Sequence, residues 1–236
     1  MSSTRRKFVL SAAAAALGAV ALTGCSRSSM PEAPRPVVKK ILVLPVLPPD
    51  RFWTYNNWVL GFAAIPSAVA NRIKSNIFDE NMVAERKAMG PKLTTALVEQ
   101  LRREGYDAEV LEWPGRNPAD PYSIDIDKLP GTDPVLHVYF GDTGMDSARL
   151  SRYYQPRVNI SVDLVGRGKV GSLYGETIYY GADSRGEASW SVPAPERFRF
   201  ADFASLVDRP AEVIASLDAG IQGLAQRVAR NIKEQG

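Results

Sequence analysis

The sequence predicts an α/β domain in which helices pack on one face of a mixed β-sheet. Three stretches carry that expectation. The unbroken apolar run Ile41 to Leu44 fits a strand buried on both faces. Met89, Leu93, Leu97 and Leu101 recur every four residues, as one face of a helix does, and Gly105 follows as a stop. Val158, Ile160, Val162 and Leu164 alternate with Asn159, Ser161 and Asp163, the period of a strand with one buried and one wet face. Residues 37–236 are expected to form a single domain of this kind.

Taken in order, the first strand lies within Val37 to Val46, with Pro45 at its end because proline cannot donate to a ladder. An insertion near residues 52–65 follows, dense in aromatics: Phe52, Trp53, Tyr55, Trp58 and Phe62. Rings of this kind either cap a core or sit at membrane interfaces and binding surfaces, and Trp53, Tyr55, Trp58 and Phe62 are binding candidates on the second count. Ser67 is a suitable N-cap for a helix carrying Val69, Ile73 and Ile77 at apolar-face spacing, ending between Asn76 and Asn81. The next helix runs from about Glu85 to Glu104. Gly90-Pro91 within it marks either its true start or a kink. Tyr106 to Glu112 then completes a strand, helix, strand unit, for which a parallel pairing with a right-handed crossover is expected.

Trp113 to Pro134 reads as a loop. Its Asp120, Asp125, Asp127 and Asp133 are oxygen donors of the kind calcium takes, but the spacing matches no EF-hand, so a solvated loop is expected. Val135 to Phe140 is an interior strand ended by Gly141. The alternating strand, the glycine-rich turn Gly166 to Gly171 and the return strand Leu173 to Tyr180 form an antiparallel hairpin. That turn is no phosphate loop, because a strand rather than a helix follows it and the Lys-Ser/Thr pair is missing. The polar segment Gly181 to Arg199 is a loop. From Pro210 a closing helix presents Val213, Leu217, Ile221, Leu224, Val228 and Ile232 to the sheet, with Arg227, Arg230 and Lys233 in its last turns, where cations suit the dipole.

Catalytic chemistry has few candidates. His137 is the only histidine and lies inside a strand, where packing beside Val135 and Tyr139 is the commoner role, and no Gly-x-Ser-x-Gly elbow accompanies it. One histidine and one cysteine do not complete a zinc site, and no cofactor is implied. Asp142 at a strand end with Asp125 or Asp127 would supply the two carboxyls of a hydrolase if they stood about 5 to 10 Å apart in a cleft.

The front of the chain decides more. Arg5, Arg6 and Lys7 precede an apolar stretch from Phe8 to Leu22, too short to span a bilayer, and Leu22-Thr23-Gly24-Cys25 ends it at the only cysteine. This segment resembles the signal peptide and lipobox of bacterial lipoproteins. The resemblance implies that residues 1–24 are removed and that Cys25 carries the lipid. Thr4-Arg5-Arg6-Lys7-Phe8-Val9 also resembles a twin-arginine export signal, although an Arg-Arg pair serves equally as an ordinary basic start. Residues 25–36, with Pro31, Pro34 and Pro36, then form a lipid-anchored linker reaching up to about 30 Å at roughly 3 Å per residue. Ser26 after Cys25, by the same resemblance, places the anchor in the periplasmic leaflet of the outer membrane.

Losing the leader also changes the charge. Three of the 29 basic residues lie in residues 1–24 and none of the 26 acidic ones, so the remaining 212 residues are balanced. Nucleic acid binding, which needs a concentrated basic face, loses its global support. The element order behind a lipobox, over roughly residues 37 to 233, resembles the peptidoglycan-synthase activator lipoproteins and the curli-secretion lipoprotein. The aromatic insertion departs from that pattern, and a shared fold does not carry function with it. The expected role is a non-catalytic binding or assembly factor of the cell envelope, with Asn159, Ser161 and Asp163 on a strand offered to a protein partner. Its alternatives are a subunit of an envelope transport or secretion complex and a carboxylate-dependent hydrolase. Oligomerisation is left open.

Overall fold

The computed structural model describes residues 37–56, 64–112, 116, 121–122, 124–125, 128–147, 151, 153–168, 171–186 and 188–235. Cys25, the linker, Trp58, Phe62 and Asp127 lie outside these. The strands are β1 (Lys40–Val43), β2 (Trp53–Tyr55), β3 (Asp107–Val110), β4 (Val135–Ser147), β5 (Tyr154–Val165), β6 (Ser172–Gly181) and β7 (Ser191–Val192). The helices are α1 (Ala64–Asn81), α2 (Val83–Arg103), α3 (Phe203–Asp208) and α4 (Pro210–Gln235).

The strands make one mixed sheet in the order β3-β1-β4-β5-β6-β7, with β2 on the same edge of β4 as β1 but at its far end. The expected parallel unit is present, Ile41 pairing with Ala108 and Val43 with Val110. The hairpin of β5 and β6 is antiparallel as predicted, and β4 pairs antiparallel with β5. The fold is therefore α/β, with α2 and α4 packed on one face of the sheet.

The core follows the apolar periods. On α4, Val213, Leu217, Ile221, Leu224, Val228 and Ile232 are all buried against β5, β6 and α2. Met89, Leu93, Leu97 and Leu101 of α2 are fully buried beside Ile41 and Val43. On the other face of β1, Leu42 and Leu44 join Leu111, Leu129 and Val135 in a smaller core roofed by the loop after β3. Strand β1 is thus buried on both sides, as its unbroken apolar run requires.

Three expectations are corrected. Helix α2 begins at Val83, so Gly90-Pro91 lies inside it and does not mark its start, and the segment after β1 crosses it there. Thr94 Oγ1 donates to the Gly90 carbonyl at 2.9 Å and accepts from Val46 N at 2.9 Å, so one hydroxyl ties helix to crossing chain. Strand β4 does not end at Gly141. An irregularity between Phe140 and Thr143 lets it run on to Ser147, where β2 pairs with it.

Helix α1 is the third. It begins at Ala64, so Ser67 is inside it rather than its cap, and Val69, Ile73 and Ile77 are 58%, 55% and 42% exposed. Its inward stripe is Asn71, Ser75 and Asp79, one helical turn apart. Phe52 N donates to Asp79 Oδ1 at 2.7 Å, Thr54 N to Ser75 Oγ at 2.9 Å and Asn56 N to Asn71 Oδ1 at 3.4 Å, while Ser75 Oγ donates to Thr54 O at 2.9 Å. The helix thereby stands in for a missing strand, because alternate backbone groups of β2 face away from β4 and need partners. Polar residues had to take the buried face, and the apolar period was left outside.

Candidate functional site

Helices cover one face of the sheet, and over β4, β5 and β6 the opposite face carries the polar chemistry. Register places its residues. Thr54 pairs with the buried Met145, so Trp53 and Tyr55 share the other face with their neighbours Gly144 and Asp146, and Gly144 stands opposite Arg157. Trp53 is 45% and Tyr55 48% exposed, whereas Phe52 is fully buried against Phe78. The described aromatics of the insertion are thus divided between core and surface. The Arg51 guanidinium stacks 3.9 Å from the Trp53 ring centroid.

Gly144 is needed for this arrangement. A Cβ on its φ of +149° would lie 1.9 Å from the Trp53 carbonyl oxygen, in the path of the β2 pairing. Replacing it with alanine is expected to undock β2. Hydrogen exchange at Trp53 and Tyr55, whose amides alternate with those held by α1, should then rise by about tenfold or more, as when a backbone ladder loses about 1.4 kcal/mol of protection. Unchanged exchange would show that β2 is held from α1 alone.

Beside Tyr55 lies an ionic cluster. Arg157 meets Asp183 at 2.5 Å, Asp146 at 3.0 Å and Asp142 at 3.1 Å, and Asn159 Nδ2 donates to Asp183 at 2.7 Å. Burial pushes the Asp146 carboxyl up to about 6, with repulsion from Asp183 and Asp142 adding to it and the attraction of Arg157 opposing it. Tyr179 and Trp190, edge to face at 5.7 Å, border the cluster with Arg185 in a hollow of about 430 Å³. The cluster is a salt-bridge network holding the far end of the hairpin. Among the described residues no group of three or more His, Cys, Asp or Glu side chains is placed to hold a metal ion.

A second hollow, of about 570 Å³, lies nearer the small core. Asp50, Tyr122, Ile124, His137, Tyr139, Phe140 and Asp163 line it. His137 and Asp163 are directly opposed in the β4–β5 ladder, and Ser161 faces Tyr139. Burial, helped by the positive charge of Arg116, brings the imidazole down to about 4, so it is neutral near pH 7. Burial alone raises the Asp163 carboxyl. The types Ser161, His137 and Asp163 match a nucleophilic triad, but the geometry does not assemble one. His137 Nε2 is buried without a hydrogen-bond partner, and the Ser161 hydroxyl lies 3.3 Å from Thr177 Oγ1.

The structure sorts the sequence candidates accordingly. Asn159, Ser161 and Asp163 share one face, but β5 is interior, paired on both sides, and offers no free edge to a partner strand. Asp142 is held by Arg157 and Asp125 by Lys128, so neither is a free carboxyl of a hydrolytic pair. The acids that do share a hollow, Asp50 and Asp163, come from segments the sequence did not connect. What joins them is the hollow itself, which Asp163 enters from β5 and Asp50 from the segment between β1 and β2.

No family model and no curated sequence matches the chain. Among solved structures it is similar to a Xanthomonas campestris protein of family DUF330, at 11% identity and a TM-score of 0.44, covering 87% of this chain and 91% of that one. A Helicobacter pylori protein described as a homolog of neuraminyllactose-binding hemagglutinin is similar over the same shares, at 11% identity and a TM-score of 0.25. At these values the fold rests on the topology itself.

Proposed function

We propose that this chain is a lipid-anchored protein of the cell envelope, tethered through Cys25 to the periplasmic face of the outer membrane, that acts by binding a protein partner. One observation carries the binding part. Trp53 and Tyr55 are displayed on the sheet face that the helices leave uncovered, next to the Arg157 cluster, although large aromatic side chains are ordinarily buried. Aromatic and arginine side chains side by side are the composition enriched in binding hot spots. The anchor rests on the lipobox-like Leu22-Thr23-Gly24-Cys25 and the leader before it.

The second reading, a subunit of an envelope transport or secretion complex, draws on a separate surface. Val69, Ile73 and Ile77 form an exposed apolar stripe on α1, where scattered single residues would need no explanation but three in one row do. A chain with two such surfaces can join two components.

The test is made in cells. The wild-type protein is expected to take up labelled palmitate and sediment with membranes, and Cys25→Ser to do neither. Crosslinking should yield an adduct that Trp53→Ala with Tyr55→Ala reduces at least fivefold, while Cys25 labelling is unchanged. Labelling that persists in Cys25→Ser would sink the anchor, and an undiminished adduct would sink the aromatic surface.

A further inference from the structure

We propose that the hollow floored by His137 and Asp163 receives a guanidinium group, the arginine side chain of a protein partner. This rests on the reading of the chain as a binding protein and gives that reading a second contact, distinct from Trp53 and Tyr55.

The argument begins with charge. Two carboxylates line the hollow, and among the described residues neither makes a salt bridge. Asp50 Oδ1 accepts a hydrogen bond from Tyr122 Oη at 3.0 Å. Asp163 is partly desolvated, and Gly175 across the next ladder leaves space beside it, a Cβ there falling 3.2 Å from Asp163 Oδ1. The charged groups nearby also include Arg116, whose guanidinium donates to the Pro121 and Pro45 carbonyls and not to either carboxylate. His137 adds no positive charge near neutral pH. The hollow therefore keeps a net negative charge, Asp50 at its exposed rim and the partly desolvated Asp163 on its floor, and an incoming cation is attracted by both.

The walls decide which cation. Tyr122 and Tyr139 meet edge to face at 6.4 Å, and His137 and Tyr139 lie 5.5 Å apart at 41°. Aromatic faces attract cations through their quadrupole. A guanidinium suits them better than an ammonium, being planar, weakly hydrated and able both to stack on a ring and to fork onto a carboxylate. An anionic ligand is opposed by both aspartates. A ligand with neither charge would leave them unpaired.

The protein provides its own reporter, because His137 is its only histidine. Full-length protein in detergent is titrated with acetyl-arginine amide, and with acetyl-citrulline amide as the neutral isostere, while the imidazole resonances are followed. The arginine probe should shift them saturably and the citrulline probe should not. Asp163→Asn should weaken the arginine probe at least tenfold with the circular dichroism spectrum unchanged. Asp50→Asn should weaken it in the same direction and serves if Asp163→Asn fails to fold. Absence of a saturable shift, an equal response to citrulline, or full affinity in both variants would overturn the proposal. Equal affinity for acetyl-lysine amide would overturn the guanidinium assignment. None of these outcomes bears on palmitate labelling or on the adduct formed at Trp53 and Tyr55, so the two readings fail separately.

Discussion

Gly90→Ala is expected to destabilise the fold by about 3 kcal/mol, the upper end of ordinary overpacking. Helix propensity alone gives the opposite sign, since alanine in a helix interior is favoured over glycine by about 1 kcal/mol. The contact decides between them. A Cβ on Gly90 would lie 2.4 Å from the Val46 carbonyl oxygen and 2.9 Å from Pro48 N. Those atoms are backbone, held by β1 on one side and by the Thr94 bridge on the other, so no side chain can swing aside. Urea unfolding should show a lower midpoint at an unchanged slope. Thr94→Val, close to isosteric, removes the partner of the buried Val46 N–H and should cost about 1 to 3 kcal/mol. Combined, the two losses should fall short of their sum, because both break the same crossing. A more stable Gly90→Ala protein would mean that the crossing segment moves freely.

The parts legible in the sequence were those where one force acts alone. Helix α4 and the unit β1, α2, β3 bury a regular apolar face, and their periods announce it. Helix α1 reads inverted because hydrogen bonding to the β2 edge overrides burial of Val69, Ile73 and Ile77, and a polar stripe at Asn71, Ser75 and Asp79 looks like a solvated face until the strand is known. The alternation of β5 reports which residues share a face and says nothing about whether the strand is an edge. Gly141 reads as the end of β4, so Asp146 falls on no expected strand and its meeting with Arg157 is hidden. Simple alternation continued from Val138 and Phe140 puts Asp146 on their buried face, and only the extra residue between Phe140 and Thr143 turns it to the face of Arg157. His137 and Asp163 were each singled out, and only the register made them neighbours.

Those two clusters set the pH dependence, and they act in opposite directions. His137 has a folded value of about 4, below its ordinary 6.5, so the unfolded chain takes up its proton first as the pH falls. Stability from this group is complete above 6.5 and is lost towards 4, about 3 kcal/mol in all. Asp146 has a folded value of about 6, above its ordinary 3.8, so here the folded chain takes up the proton first. Its ionisation destabilises the fold at neutral pH by about 3 kcal/mol, and that cost is relieved as the pH falls through 6 towards 3.8. Between pH 6 and 4 the two slopes cancel, and these groups leave the wild-type stability nearly level. Asp146→Asn keeps an oxygen for Arg157 while removing the charge. Its stability relative to wild type should be higher by about 2 to 3 kcal/mol at pH 7.5 and should lose that advantage by pH 4. His137→Gln should show the reverse slope, losing ground at pH 7.5 and regaining about 3 kcal/mol relative to wild type by pH 4. Difference profiles from urea unfolding cancel the other carboxylates, and changes in packing displace a profile without tilting it. Two profiles parallel to wild type would show that neither group is held away from its ordinary ionisation.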